Sequence, residues 1–298
     1  MQGYNCILVF SQDSKRLLFC KRTKDPYQGL YNLVGGKIER NENGYEAAYR
    51  ELWEETGIDR CISSSITCIG VDGCKGGWIA AILLQGKLIL DKFITVNEIV
   101  KAYHKFDEFF IDMVIGLPST KDHIRPDTYA RKIIKERAST IFPAPCRQAI
   151  YAKTVAEAYT ENERVLGKKF TPLTVGIIPK MQELDSFLQD NQQYKNVIKE
   201  SHPEVCFARL NGRTMLSKKS EIDGMEERIH LLSQYIPDLS LTKIAALAKS
   251  MKCNIDDIVD AVCLAVTANI AGQGGYDIVP EKPMSDETGL LMQMVIPK

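Results

Sequence analysis

The sequence predicts an α/β protein: a mixed sheet with helices on both faces, preceded by a shorter α+β segment. Three observations carry this. Apolar strand-like runs fall into two groups separated by the polar stretch DRCISSS at 59–65. The second group orders as three strands, a helix, a strand, a helical insertion, a further strand and closing helices, a mixed α/β pattern. The composition, 45% hydrophobic and 26% charged, is that of an ordinary globular chain, and its length suits roughly two domains. The expected division is 1–62 and 66–298, each a separate folding unit.

In the first segment, YNCILVF at 4–10 and RLLFCK at 16–21 read as strands joined by a turn at Ser11, Gln12, Asp13 and Ser14. GLYNLVGGKIE follows as a strand broken at Gly35 and Gly36. Residues 44–56 read as a helix, with Asn43 and Glu46 spaced as a capping box and Gly57 as its stop. In the second, ITCIGVD, GWIAAILLQ and KLILDKFIT read as strands, with Gly86-Lys87 at a hairpin turn. A helix is expected over about 97–105, and EFFIDMVIGLP as an apolar strand. A polar helical region spans 125–192, NVIKESHPEVCF holds another strand, and 241–252 and 255–271 are helical.

Charge and cysteine content exclude several classes. There are 38 basic and 38 acidic residues, so the chain lacks the overall basic character of a general nucleic-acid binder. A nucleic-acid partner must be small or be held by a local patch. The nine cysteines include no CxxC pair, which argues against a zinc ribbon or a disulfide framework. Free thiols in this number suit a reducing, cytoplasmic setting. The N-terminus has no basic n-region or cleavage site and does not read as a signal peptide. No apolar run approaches the ~20 residues of a membrane span.

Two acidic constellations remain. The first is Gly36, Glu42, Arg50, Glu51, Leu52, Glu54, Glu55, Gly57 and Ile58, spaced G-x5-E-x7-R-E-L-x-E-E-x-G-I. Glu51 lies three and four residues from Glu54 and Glu55, so the carboxylates share one side of a helix. Their mutual repulsion calls for a cation, and hard oxygen ligands suit Mg2+ or Mn2+. Gly35 and Gly36 let the backbone approach metal or phosphate closely. This segment resembles the Nudix hydrolases through their box. The resemblance implies Glu51, Glu54 and Glu55 as the metal-ligand and base set and Arg50 as the residue orienting a carboxylate. A complete Nudix fold continues with strands that finish the sheet and shape the nucleoside pocket, whereas here the pattern restarts near residue 62. The segment is thus truncated, and about 60 residues is marginal for independent stability.

The second constellation is Asp72, Asp112, Glu200, Asp257 and Asp260. Asp72 ends an apolar strand ahead of the Gly-rich GCKGG. Asp112 sits inside another apolar strand, where an unpaired carboxylate is costly, so it meets either a metal or a buried cation. Glu200 lies near the end of a third strand and competes with Glu204 for one role. Asp257 and Asp260 share one helix face, and Asp256 reads as the N-cap of that helix. Acids from scattered positions gathered by a mixed sheet are the layout of a two-metal phosphoryl-transfer site. Arg125, Asp127 and Arg131 form an R-x-D-x-x-x-R cluster. With Arg147, Lys180 and Lys218 these basic residues suit either phosphate binding or ion pairing to the acids, Glu183 and Asp185 included. His202 reads as structural or supporting.

The stretches GVDGCKGGW, IDMVIGLP, RPDTYAR, IFPAPCRQAI, IIPKMQELD, ESHPEVCF, SKK and DDIVDA resemble a family of RNase H-like nucleases, catalogued only as a domain of unknown function. That resemblance implies an RNase H-like sheet and Asp72 as the bridging metal ligand. The D-x-x-D of the last helix is similar to that of Holliday-junction resolvases, which implies metal roles for Asp257 and Asp260. The expected activity is metal-dependent hydrolysis of nucleic-acid phosphodiesters. The alternatives are a Nudix-type pyrophosphohydrolase acting on nucleoside diphosphate derivatives, or a non-catalytic nucleotide- or nucleic-acid-binding regulator. Oligomeric state is not legible.

Overall fold

A computed structural model describes residues 3–9, 15–24, 26–40, 42, 44–56, 66–84 and 86–298. It splits into two compact units, Met1–Cys61 and Ile62–Lys298. The turn expected at Ser11–Ser14, the Asn43 cap, the Gly57 stop with Ile58, and the linker at 59–65 lie outside the described residues.

In the first unit the expected strands are short. Antiparallel bridges join Tyr4 to Lys37 and Ile7 to Val34. Strands β1 (Cys20–Lys21) and β2 (Tyr31–Asn32) pair antiparallel, and helix α1 spans Gly44–Thr56, as expected. Among the described residues of this unit, only Val34 and Ala47 are buried apolar side chains. Without more area removed from water, little holds long strands in register.

The second unit opens with β3 (Thr67–Cys74), β4 (Gly77–Leu84), β5 (Lys87–Phe93), α2 (Val96–Ala102) and β6 (Glu108–Ile111). The helical insertion holds α3 (Asp127–Ile133), a 3-10 turn at Lys135–Thr140, α4 (Arg147–Ile150), α5 (Val155–Leu166), α6 (Pro172–Val175) and α7 (Ile178–Asp190). Then come β7 (Ile198–Glu200), α8 (Pro203–Leu210), α9 (Ile222–Ser233), α10 (Leu241–Met251), α11 (Ile255–Gly274), β8 (Tyr276–Ser285) and β9 (Leu291–Pro297).

The sheet order is β5-β4-β3-β6-β7. β3, β4 and β5 are antiparallel neighbours, while β6 and β7 run parallel to β3. This mixed sheet, with helices on both faces, has the topology expected of an RNase H-like domain. Strand alternation sends Ile69, Val71, Trp78, Ala80 and Ile82 into a core shared with α2 and α7. Cys68, Ile79, Ala81 and Leu83 enter the opposite core with α9, α10 and α11.

α11 is buried along most of its length and seats directly on β3. A Cβ at Gly70 would lie 2.1 Å from Ala265 N and 2.2 Å from Ala261 O. Only a residue without a side chain allows the helix backbone this close.

Three features differ from expectation. β6 ends at Ile111, so Asp112 lies just past the strand instead of within it; its N–H still donates to Val71 O at 2.9 Å. The N-cap of α11 is Asn254, not Asp256, and Asp257 completes the capping box from the third position. The β8–β9 hairpin and α9 were not expected.

A candidate carboxylate site at the sheet's C-terminal edge

β3, β6 and β7 are parallel, so their C-terminal ends share one edge of the sheet, where open α/β sheets place ligands. Asp72 follows Val71, which pairs with Ile111, and Ile111 pairs with Glu200. This register brings Asp72, Asp112 and Glu200 to that edge. Asp72 shares the strand face of Gly70, the face covered by α11, and α11 contributes Asp260. All four acids line one cavity of about 400 Å3, together with Lys180, His202, Glu204 and Lys219.

The carboxylates are energetically uncomfortable there. Burial, then the charges of Asp112 and Asp260, push Asp72 well above the usual carboxylate range. Burial likewise raises Asp112. Asp260 is pushed up to about 6 by burial, against the pull of Lys219, whose Nζ lies 2.5 Å from Oδ2. Asp260 Oδ1 is buried and has no partner. Burial opposes the Lys219 charge, but Asp260 outweighs it and holds the ammonium firmly protonated. Asp256 adds a second ion pair to Lys219 at 3.4 Å. Burial raises Glu200 to about 7, although Arg125 donates to it at 2.6 Å and Ile115 N–H at 2.7 Å.

Other expected site residues are placed differently. Asp257 is buried but accepts from Asn254 N–H at 2.9 Å and does not line the cavity. Arg125 is buried, bound to Glu200, Asp127 and the carbonyls of Ile115 and Gly116. Arg147 is buried in a fork on Asp185 (2.7 and 2.9 Å) with a further bond to Asp286 at 2.6 Å. For these two arginines the internal ion-pairing alternative is what the fold uses. Lys218 is exposed and pairs with Glu221, while its neighbour Lys219 reaches the cavity. Arg131 donates to Ile141 O at 2.6 Å. Lys180 lies over the Trp78 ring, 4.4 Å from its centroid, and bonds Gly77 O; burial lowers its pKa. Glu204 accepts at both oxygens from Nη2 of the buried Arg228, at 2.8 and 3.0 Å. His202 Nδ1 is buried without a partner. Lys219 and Arg228 are the residues that sequence reasoning missed; the SKK stretch signalled the first.

Among the described residues, no three His, Cys, Asp or Glu side chains stand close enough together to hold a metal ion as they lie. The donor set nevertheless fits a divalent cation in kind. Its oxygens are hard, burial raises the pKa of Asp72, Asp112 and Asp260 despite the nearby Lys219, and Asp260, whose Oδ1 is orphaned, lines the same cavity as Asp72 and Asp112. In this arrangement Lys219 supplies the compensating positive charge.

In the first unit Arg50 is a hub. It donates to Glu42 at 2.7 and 3.1 Å, to Glu51 at 2.8 Å, to Glu54 at 3.2 Å and to Lys37 O at 2.9 Å. Its hydrogen bonds lower the Glu42 pKa. Gly36 passes so close to Glu51 that a Cβ would lie 2.3 Å from the carboxyl carbon. Glu54 and Glu55 are exposed. Gly35, at φ 148°, lies against the backbone of Asn5 and Cys6.

Comparison with known proteins finds two families. A family model described as "Protein of unknown function (DUF429)" matches residues 70–285. The chain belongs to this family. A NUDIX domain model matches residues 2–114, so its match runs past the first unit into strands of the DUF429 sheet. The chain is 35% identical over 63 residues to the dihydroneopterin triphosphate diphosphatase of Escherichia coli, covering 21% of this chain and 40% of that protein. It is 42% identical over 50 residues to the ADP-ribose pyrophosphatase of Methanocaldococcus jannaschii, covering 17% of this chain and 29% of that protein. It thus spans less than half the length of these curated relatives. No solved structure matches. No helix among the described residues is long and apolar enough to cross a membrane.

Proposed function

We propose that this DUF429 protein is a hydrolase of phosphate esters whose second unit cleaves nucleic-acid phosphodiesters with the help of Mg2+ or Mn2+. The observation that carries the reading is the convergence of the buried Asp72 and Asp260 and the half-buried Asp112 on one cavity. Burying three like charges together is strongly unfavourable unless a cation joins them. Asp72, Asp112 and Asp260 would hold the ion. When bound, a divalent ion supplies water activation and charge stabilisation at the phosphate. The chain's own groups do the rest. Lys180 lines the cavity and offers positive charge to a phosphate. Lys219 leaves Asp260 to neutralise the leaving oxygen. His202 lines the cavity with its Nδ1 unpartnered and would serve as a proton relay.

The test is cleavage of labelled DNA and RNA with manganese. Asp72→Asn is expected to abolish it while Glu54→Gln leaves it intact. Cleavage by the Asp72→Asn protein equal to that of the wild type would end the proposal.

A second reading has its own observation: the Glu51 carboxylate is fixed by Arg50 against the Gly36 backbone, and the relatives matching this segment are named diphosphatases and pyrophosphatases. It assigns the first unit hydrolysis of nucleoside diphosphate derivatives through Glu51, Glu54 and Glu55. The reverse pattern of variant effects, on those substrates, supports it. Binding without turnover by either unit would favour the regulator alternative.

A further inference from the structure

The geometry points to a second cavity, adjoining the carboxylate site, as the seat of a single-stranded nucleic-acid backbone; the inference rests on the nuclease reading and supplies its substrate path. This cavity has a volume of about 900 Å3 and is lined by Lys121, Arg131, Lys132, Lys135 and Lys168. Among the described residues that line it, Asp127 is the only carboxylate, and it is buried in an ion pair with Arg125. The four lysines are exposed. A chain whose basic and acidic residues balance at 38 each thus concentrates unopposed positive charge at one concave surface. Such a surface attracts phosphates laid along it.

Two further observations fit a nucleic-acid strand better than an isolated phosphate. Tyr129 and His123 line the same cavity, offering flat rings among the cations, the combination on which unpaired bases stack. Lys132 lies 5.6 Å from the Tyr129 centroid. The cavity is also continuous in its walls with the carboxylate site. Asp127 lines both. Arg125 lines the basic cavity and Glu200 the acidic one, and the two are joined at 2.6 Å. Thr140, Ile141 and Phe142 line the acidic side, and the following Pro143 and Ala144 line the basic side. Arg131 is pinned to this wall through Ile141 O. The R-x-D-x-x-x-R cluster is therefore the partition: Arg125 and Asp127 build it, and Arg131 faces the strand. A polyanion held on the lysines places a neighbouring phosphodiester at the acids, where a free nucleotide would have no use for the extended basic surface.

The experiment is fluorescence anisotropy on the full chain in EDTA, which prevents cleavage. The probes are labelled single-stranded DNA and RNA of one sequence, on the order of ten nucleotides, titrated at several salt concentrations. Binding to either probe is expected. Substituting Lys121, Lys132, Lys135 and Lys168 together by Gln should weaken it at least about ten-fold and flatten the logarithmic salt slope by about 2–3. The corresponding Arg variant should bind as the wild type does. Lysine acylation footprinting on unsubstituted protein gives a readout that needs no variant: the strand should protect these four lysines. Binding unchanged in the Gln variant, no protection, or binding to neither probe overturns the inference. Addition of manganese separates the two claims. Bound strand that is never cut sinks the nuclease reading and leaves the groove. Cutting undiminished in the Gln variant sinks the groove and leaves the nuclease.

Discussion

Lys219 Nζ lies 2.5 Å from one oxygen of Asp260, and the other oxygen of that carboxylate is buried with no partner. The ammonium supplies positive charge where the acids of the cavity crowd together. Replacing Lys219 by Met should therefore have two opposite effects. Stability without metal should fall by about 1 kcal/mol, a modest figure because the lysine is 36% exposed. Manganese affinity, read by the loss of the free-ion EPR signal, should rise several-fold because a competitor is gone. Unchanged affinity would show that Lys219 and a cation do not share a place.

Metal-free stability should fall as pH rises from about 5 to about 7. Folded Asp260 titrates at about 6 against an ordinary 3.8, and folded Glu200 at about 7 against 4.5. Within that window the folded chain holds more protons than the unfolded one, so raising the pH favours unfolding. Added Mg2+ or Mn2+ binds only ionised acids, so its stabilisation should be larger at pH 7 than at pH 5. Thermal melts across pH, with and without the ion, check both signs; a metal effect independent of pH contradicts the assignment.

Gly70→Ala should destabilise the second unit by about 3 kcal/mol, because the methyl meets helix backbone and not a side chain that can swing away. Urea titration of the full chain measures this. A near-neutral result would mean that α11 is less tightly seated than described.

Arg147→Lys keeps the charge but loses the two-point fork on Asp185 and the bond to Asp286. A loss of about 2 kcal/mol is expected, with cleavage, where it occurs, retained under conditions in which the variant is folded. A selective loss of substrate affinity in a stable variant would instead return Arg147 to phosphate binding.

For the first unit, Arg50→Ala should lower any hydrolysis of nucleoside diphosphate derivatives about ten- to a hundred-fold, since Glu51 loses the donor that holds it at Gly36. Steady-state release of the nucleoside monophosphate, followed by chromatography, measures it, with Glu51→Gln as the reference. Turnover at the wild-type rate would separate the box from the activity.

The site was legible where polarity breaks an apolar run. Asp72 and Asp260 interrupt an apolar strand and an apolar helix, Asp112 directly follows the apolar end of β6, and a charge in such company needs a reason. The choice between Lys218 and Lys219 was not legible, because adjacent residues differ only in the direction a loop gives them. Asp257 carries a capping role that its spacing from Asp260 did not signal: a third-position acid also caps its own helix. The β8–β9 hairpin escaped notice because Pro280 and Pro283 fall inside β8, and proline argues against a strand. Gly224 similarly hid α9. The basic cavity could not be foreseen from a net charge of zero, since the balance over a whole chain says nothing of how its lysines are distributed in space.

The bare backbone seat of α11 on β3 has a consequence for the width of the carboxylate cavity. Asp72 is two residues along the strand from Gly70, and Asp260 is next to Ala261, whose carbonyl faces that glycine. The separation of the two main chains that carry these acids is thus set by direct backbone contact, a dimension that repacking elsewhere cannot adjust. The backbone under the two acids keeps a fixed gauge while the residues around them vary, so only their side-chain torsions are left to adjust the reach of the site.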